Sequence, residues 1–401
     1  MPVLEDYNQF EGLHWETGPV RNFLDYRGVR NLYTGKPYSE AFFMGVTGGA
    51  VMGYFSFAYE GHEPMARILT RNTFNPFETM LSRLGVVQNL QRTGNPGKGE
   101  QNLVDTLEAG VPAIVLADMF SLPYNLPAQD EGIWAMFPIL VYGFDRESDL
   151  VWIADRARVP LTVTTGELAA ARARVKKDKF QILTLDPPIP EKIPAAVNAG
   201  IWDCIKLYTE MPPRGTKNNF GLAALRWWAE LLVNPKERLS WEKVFPAGIK
   251  LYAGLNTAFE DINLFGKDGQ AERDVYAAFL DEAGQILDNQ GLSAAAEKFR
   301  ASGREWDALS LALMPDEIPL FRETRELRLR RHHRFLESGA DALDEMRSID
   351  ARLAEIRAEI TPDHPLDQRE AAAFKENLRD RVLAVHDSEE AAVNALREAM
   401  A

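Results

Sequence analysis

Three short apolar runs lie close together: "VPAIVLADMF" (111–120), "FPILVYGFD" (137–145) and "DLVWIAD" (149–155). Each is rich in Val, Ile and aromatic residues and ends at turn-forming residues. That pattern predicts strands with both faces apolar. The last two runs are separated only by "RESD", which is too short for a crossover, so they pair antiparallel through a hairpin turn. The chain must therefore build a mostly antiparallel sheet. A last strand is expected at "QILTLDPP" (181–188), after a helix over "TGELAAARARVKKDKF" (165–180) that ends in basic residues.

The segments before these strands predict helices. In "TGPVRNFLDYRG" (17–28), Thr17 suits a cap, Pro19 suits a first turn, and Val20, Phe23 and Leu24 follow helical spacing. "SEAFFMGVTGGAVMGYFSFAYEG" (39–61) is apolar almost all round and predicts a buried helix. "NPFETMLSRLGV" (75–86) predicts a short amphipathic helix, and "GNPGKGEQNLVDTLEAG" (94–110) a polar loop leading into another. Helices followed by neighbouring strands imply an α+β fold, not a doubly wound one.

"LDPPIPEKIP" (185–194) is a Pro-rich boundary. Beyond it, "AAVNAGIWDCIKLYTEM", "NNFGLAALRWWAELLV", "ERDVYAAFLDEAGQIL" and "LSAAAEKFRASGREWDALSLAL" all carry helical periodicity. From about residue 320 the chain is highly charged and helical, with a break near Ser338-Gly339. The expected organisation is a first domain over 1–190, an all-α domain over 195–318 and a charged hairpin or oligomerisation arm over 319–401, with a homo-oligomer as the assembly.

The 401 residues carry 45 Lys and Arg against 59 Asp and Glu, a formal net charge of −14. That balance disfavours nucleic acid and anionic membrane as partners. The one cysteine, Cys204, excludes an intramolecular disulfide and a Cys-based metal cluster. "MPVLEDYNQF" lacks a basic signal-peptide start, and no apolar stretch is long enough to span a bilayer. The expected setting is the cytoplasm.

Four stretches, "FEGLHWETGPVRNFLDYRG", "YSEAFFMGVTGGAVMGY", "GVPAIVLADMFSLPYN" and "ILVYGFDRESDLVWIADRA", together resemble the N-terminal domain of butirosin biosynthesis protein H. "NNFGLAALRWWAELL" and "ERDVYAAFLDEAG" resemble the helical domain that usually follows it. The resemblance implies a papain-type cysteine fold. It also implies acyl transfer from a carrier protein through an enzyme cysteine to an amine. A cysteine at a helix N-terminus is favoured as thiolate, a histidine completes the pair, and an acid orients the histidine. On this pattern His14 is retained, Trp15 stands in the cysteine's place, and Phe137 and Pro138 occupy the histidine's neighbourhood. Asp155 matches the orienting acid.

Each of these residues also has a plainer reading. Asp155 either keeps a site role or pairs with Arg156. Ser39 and Glu40 match the family pattern but suit a helix cap and a buried, hydrogen-bonded acid. His14 is either a proton shuttle or ligand contact, or a local brace for the helix entry. Asp118 and Tyr124, within "GVPAIVLADMFSLPYN", complete the ligand-binding candidates. Cys204, flanked by Trp202, Ile205 and Leu207, reads as a buried structural thiol. "GVTGG" (45–49) suits either a backbone anion site or a tight turn under a packed helix. "GNPGKGE" lacks phosphate-loop spacing, and His332 and His333 sit in a solvated basic run. The basic end of 165–180 could dock an acidic carrier protein. No cofactor and no metal set is expected.

Three functional readings follow. The first is a catalytically degenerate member of this acyltransferase-like family. It would bind a small metabolite, an acyl-carrier protein or a sister subunit in secondary metabolism. The second is an amide-forming enzyme that uses His14 or Glu40 as base. The third is an oligomerisation scaffold.

Overall fold

In the computed structural model, which describes residues 2–126, 135–174, 179–264, 269–362 and 364–401, the chain is α+β. In chain order the elements are α1 (Gly18–Tyr26), α2 (Glu40–Val46), β1 (Ala50–Phe57), β2 (Met65–Arg71), α3 (Pro76–Leu84), β3 (Gln88–Gln91), α4 (Pro96–Glu108), β4 (Ala113–Asp118), β5 (Met136–Asp145), β6 (Leu150–Ala154), β7 (Leu161–Val163), α5 (Thr165–Ala173) and β8 (Ile182–Leu185). Helices then follow: α6 (Ile193–Thr209), α7 (Gly221–Val233), α8 (Trp241–Val244), α9 (Ile249–Asn263), α10 (Arg273–Ile286), α11 (Gly291–Leu313), α12 (Pro319–Ser338), α13 (Leu343–Ile360) and α14 (Gln368–Ala399). No helix among the described residues is long and apolar enough to cross a membrane. Residues 175–178, within the basic end suggested above for carrier docking, lie outside the described residues.

Two compact units emerge: Met1–Phe43 with Phe77–Ile193 and His333–Met346, and Met44–Pro76 with Pro194–His332 and Arg347–Ala401. This grouping differs from a linear division at 190 and 318. Residues 44–76 join the helical unit, and the turn between α12 and α13 joins the sheet unit.

The first unit is built on a six-stranded antiparallel sheet of order β3-β8-β4-β5-β6-β7. β4 pairs with the first part of β5, Ala113↔Val141 through Asp118↔Met136. Past that point the same edge of β5 is taken by the N-terminal segment, where Leu4 N donates to Tyr142 O and Phe144 N to Pro2 O, both at 3.0 Å. Tyr7 stacks on Tyr142 at 4.2 Å. β5 is buried over its last eight residues, and this explains why its sequence shows no polar alternation. α1 packs on β4 and β5 through a face that includes Val20, Phe23 and Leu24. The turn from α12 closes the unit, with Arg158 N donating to Leu336 O at 2.7 Å.

The structure corrects two expectations. Residues 39–61 are not one helix. α2 stops at Val46, the chain turns through Gly48 and Gly49 (φ +104° and +65°), and β1 begins at Ala50 and pairs antiparallel with β2. A Cβ on Gly49 would sit 2.1 Å from the Tyr276 ring, so "GVTGG" is a turn that permits close packing. Val51, Tyr54, Phe55 and Phe57 suit a strand, and helix-like hydrophobicity arises because β1 is buried on both faces over its first five residues. The supposed loop of 94–99 is helical from Pro96, capped by Asn95 Oδ1 accepting from Lys98 N at 2.9 Å.

In the helical unit α14 packs against α11 and α7, burying Leu378, Val382, Val385, Val393 and Leu396. At its centre lies a buried ion pair. Arg273 Nε donates to Glu389 Oε1 at 2.7 Å, and both residues are fully buried. Ser302 Oγ and Trp306 Nε1 donate to the same oxygen at 2.7 Å. The remaining guanidinium nitrogens reach Thr70 O, Ala271 O, Val51 O and Tyr208 Oη. Burial alone would raise the Glu389 carboxyl, but the adjacent Arg273 holds it below the usual value. Arg273→Met strands a buried carboxylate. The expected loss is about 3–5 kcal/mol of unfolding free energy by urea titration, and an unchanged midpoint would contradict this role.

Candidate functional site

The entry to α1 is held by one carboxylate. Glu40, at the start of α2, accepts from Leu13 N (2.8 Å), His14 N (3.0 Å) and Thr17 Oγ1 (2.9 Å). Thr17 therefore does not cap α1 with its side chain, as its position had suggested, but braces the segment against Glu40. Gly18 N donates to His14 O at 2.7 Å, and Gly12 N to Asn22 Oδ1 at 2.9 Å, which fold residues 12–18 into a tight turn. A Cβ on Gly12 would lie 2.4 Å from Gly18 O, so the two backbones touch only because Gly12 has none. His14 is buried, and its Nδ1 accepts from Glu16 N at 3.3 Å, which places the proton of a neutral ring on Nε2. Ser39 Oγ accepts from Phe42 N at 2.9 Å and caps α2.

This turn aims Trp15 at the sheet. Its ring stacks on Phe137 with centroids 4.7 Å apart and planes 20° apart, and His14 lies tilted beside it at 5.4 Å. Both stacked residues are half-buried. Phe137 is near the start of β5 opposite Ala117, and Pro138 follows it opposite Leu116. β6 joins β5 only from Leu140 onward, so Pro138 costs no bond on that side.

Asp155 follows β6 directly. Arg156 grips its carboxylate with two bonds, Nε to Oδ1 and Nη2 to Oδ2, both 2.9 Å. Tyr124 Oη donates to Oδ2 at 3.0 Å. Arg156 Nη2 also reaches Asn125 Oδ1 at 2.6 Å, and its guanidinium lies 5.6 Å over the Phe335 ring. Burial, then the Asp155 charge, push the Tyr124 hydroxyl well above its usual value, so it stays a donor. Arg156 holds this geometry at φ +47°, a conformation uncommon for a long side chain. The ion-pair reading of Asp155 is what this geometry contains. Asp118 is likewise occupied: its oxygens accept from Ala135 N (2.9 Å) and Ser121 Oγ (2.6 Å), and Arg174 Nε lies 3.1 Å away.

Residues 14–156 match the family described as butirosin biosynthesis protein H, N-terminal, and residues 166–317 match a domain of unknown function, DUF4872. Residues 14–156 thus form a butirosin biosynthesis protein H-like N-terminal domain. No curated protein matches the chain. That matched region runs from His14 to Arg156, and so contains the stacked Trp15–Phe137 pair, Glu40 and the Asp155–Arg156–Tyr124 cluster.

Other candidates lie apart from these groups. Cys204 in α6 is fully buried and donates to Ala50 O at 3.3 Å. Burial pushes its thiol up to about 12. His332 and His333 lie on α12. Among the described residues no three His, Cys, Asp or Glu side chains gather as a metal set. Sequence reasoning did not find the Tyr124–Asp155 bond or the Phe335 shelf under Arg156. Phe335 is remote in sequence, and nothing local marks it.

Glu40→Ala removes the acceptor of two backbone N–H groups, with an expected cost of about 1–3 kcal/mol by urea unfolding. Glu40→Gln, which keeps one acceptor oxygen, should cost less, and no loss in either variant would contradict the brace. Cys204, with its thiol raised, should resist iodoacetamide in the folded protein even at pH 9, where an exposed thiol is largely ionised, and should react fully in denaturant.

Proposed function

We propose that this chain is a catalytically degenerate member of an acyltransferase-like family, acting as a binding or assembly subunit in secondary metabolism. The observation that carries this reading is the stack of Trp15 on Phe137. The resemblance assigns the nucleophile to the first position and the base neighbourhood to the second, and the two side chains do lie against each other. Two aromatic faces in contact offer an apolar surface with no nucleophilic atom and no proton acceptor of use to acyl chemistry. The third expected group supports the same reading, because Asp155 is committed to Arg156 and Tyr124. Glu40 is not poised as a substitute base, since its oxygens already accept from Leu13 N, His14 N and Thr17 Oγ1. The partner would be an acyl-carrier protein, a small metabolite or a sister subunit that uses the half-buried aromatic pair as a platform.

Incubation with carrier-bound acyl thioesters should leave the intact mass of the chain unchanged, and a covalent acyl adduct would overturn the proposal. The positional assignment has its own test. Trp15→Cys together with Phe137→His should be alkylated by iodoacetamide at pH 7 about tenfold faster than Trp15→Cys alone, because a neighbouring imidazole favours the thiolate. Equal rates would remove the assignment of these two positions.

A further inference from the structure

A second feature lies wholly in the helical unit and is independent of the aromatic pair. Between the C-terminal end of α7, the residue preceding α8 and the first turns of α14 there is a hollow of about 90 Å³. A single water needs about 10–15 Å³ on that measure, so the hollow has room for a small molecule. Leu231, Leu232 and Pro235 supply apolar wall, and Lys375 lines it from α14. Lys375 is only 9% exposed. It makes no hydrogen bond or ion pair among the described residues. Lysines with this little exposure are usually paired, and here the Nζ, which is not fully buried, opens on the hollow without a bonded partner. Burial pushes the Lys375 ammonium below the usual lysine value, and the nearby Glu242 offsets this only in part. Ser240, also lining the hollow, is 1% exposed, and its Oγ has no hydrogen-bond partner.

Two unpartnered donors beside apolar wall call for an acceptor that carries negative charge and a short hydrocarbon part. Glu242 and Glu376 also line the hollow, both at exposed positions. Two carboxylates at that mouth repel a dianion more strongly than a monoanion. We propose that this hollow is a binding site for a short-chain monocarboxylate, whose carboxylate pairs with Lys375 and accepts from Ser240 while its alkyl group lies against Leu231, Leu232 and Pro235. The bound anion adds a directly bonded counter-charge, where Glu242 acts on Lys375 only without a direct ion pair.

The test uses the full chain and sodium propionate at constant ionic strength, followed by calorimetry and by amide shifts. Saturable binding is expected, with the shifted amides concentrated in residues 231–242 and 372–376. Lys375→Met should weaken it about tenfold or more, since a charge-assisted bond is lost, and Ser240→Ala should weaken it by a smaller factor. Sulfate should compete poorly. Absence of saturable binding at tens of millimolar propionate overturns the proposal. So do shifts confined elsewhere, undiminished affinity in a folded Lys375→Met variant, or sulfate competing as well as propionate. The wild-type shift map decides the matter even if Lys375→Met fails to fold.

Discussion

The helical unit depends on a single guanidinium. Arg273 is fully buried, yet it reaches the carbonyls of Val51 in β1 and Thr70 in β2, the hydroxyl of Tyr208 in α6 and the carboxylate of Glu389 in α14. Its plane lies 5.1 Å from the Trp306 ring of α11. A buried ion pair needs further hydrogen bonds to offset desolvation, and here Ser302 and Trp306 join Arg273 on Glu389 Oε1, while Oε2 is buried without a hydrogen bond. The segment leading into α10 accepts strain to place this group: Gln270, Ala271 and Glu272 all have positive φ. Such a cluster fixes which elements meet. It explains why the hairpin β1–β2, which lies early in the chain, belongs with the helices.

The sheet unit shows a different economy. There a carboxylate, Glu40, organises a backbone turn, and the turn presents Trp15 to Phe137. The contact between them is one of ring faces, 4.7 Å apart and 20° from parallel. Asp155 is held in a bidentate ion pair, since a buried carboxylate needs donors.

Much of this was legible in the residues. Val, Ile and aromatic runs joined by "RESD" announced β5 and β6 and the hairpin turn between them. The Pro-rich stretch marks the change at Ile193, and the break at Ser338-Gly339 separates α12 from α13. What misled was hydrophobicity without period. Residues 50–57 look like a buried helix because burial on two faces erases the alternation that identifies a strand. α14, whose amphipathic face becomes core, lay in a region read as a charged arm, because its charges dominate the composition while Val382, Val385 and Val393 do the packing.

By itself the sequence determined the antiparallel sheet and the helical remainder, because local periodicity and turn chemistry are properties of neighbours along the chain. Only the tertiary structure decided that Trp15 lies on Phe137, that Asp155 is shared by Arg156 and Tyr124, that Phe335 shelves Arg156, and that the Lys375 side chain is largely buried without a direct ion pair. Each of these joins or isolates groups from distant segments, and the energy that selects them, desolvation of charge and contact between ring faces, exists only once the chain has folded.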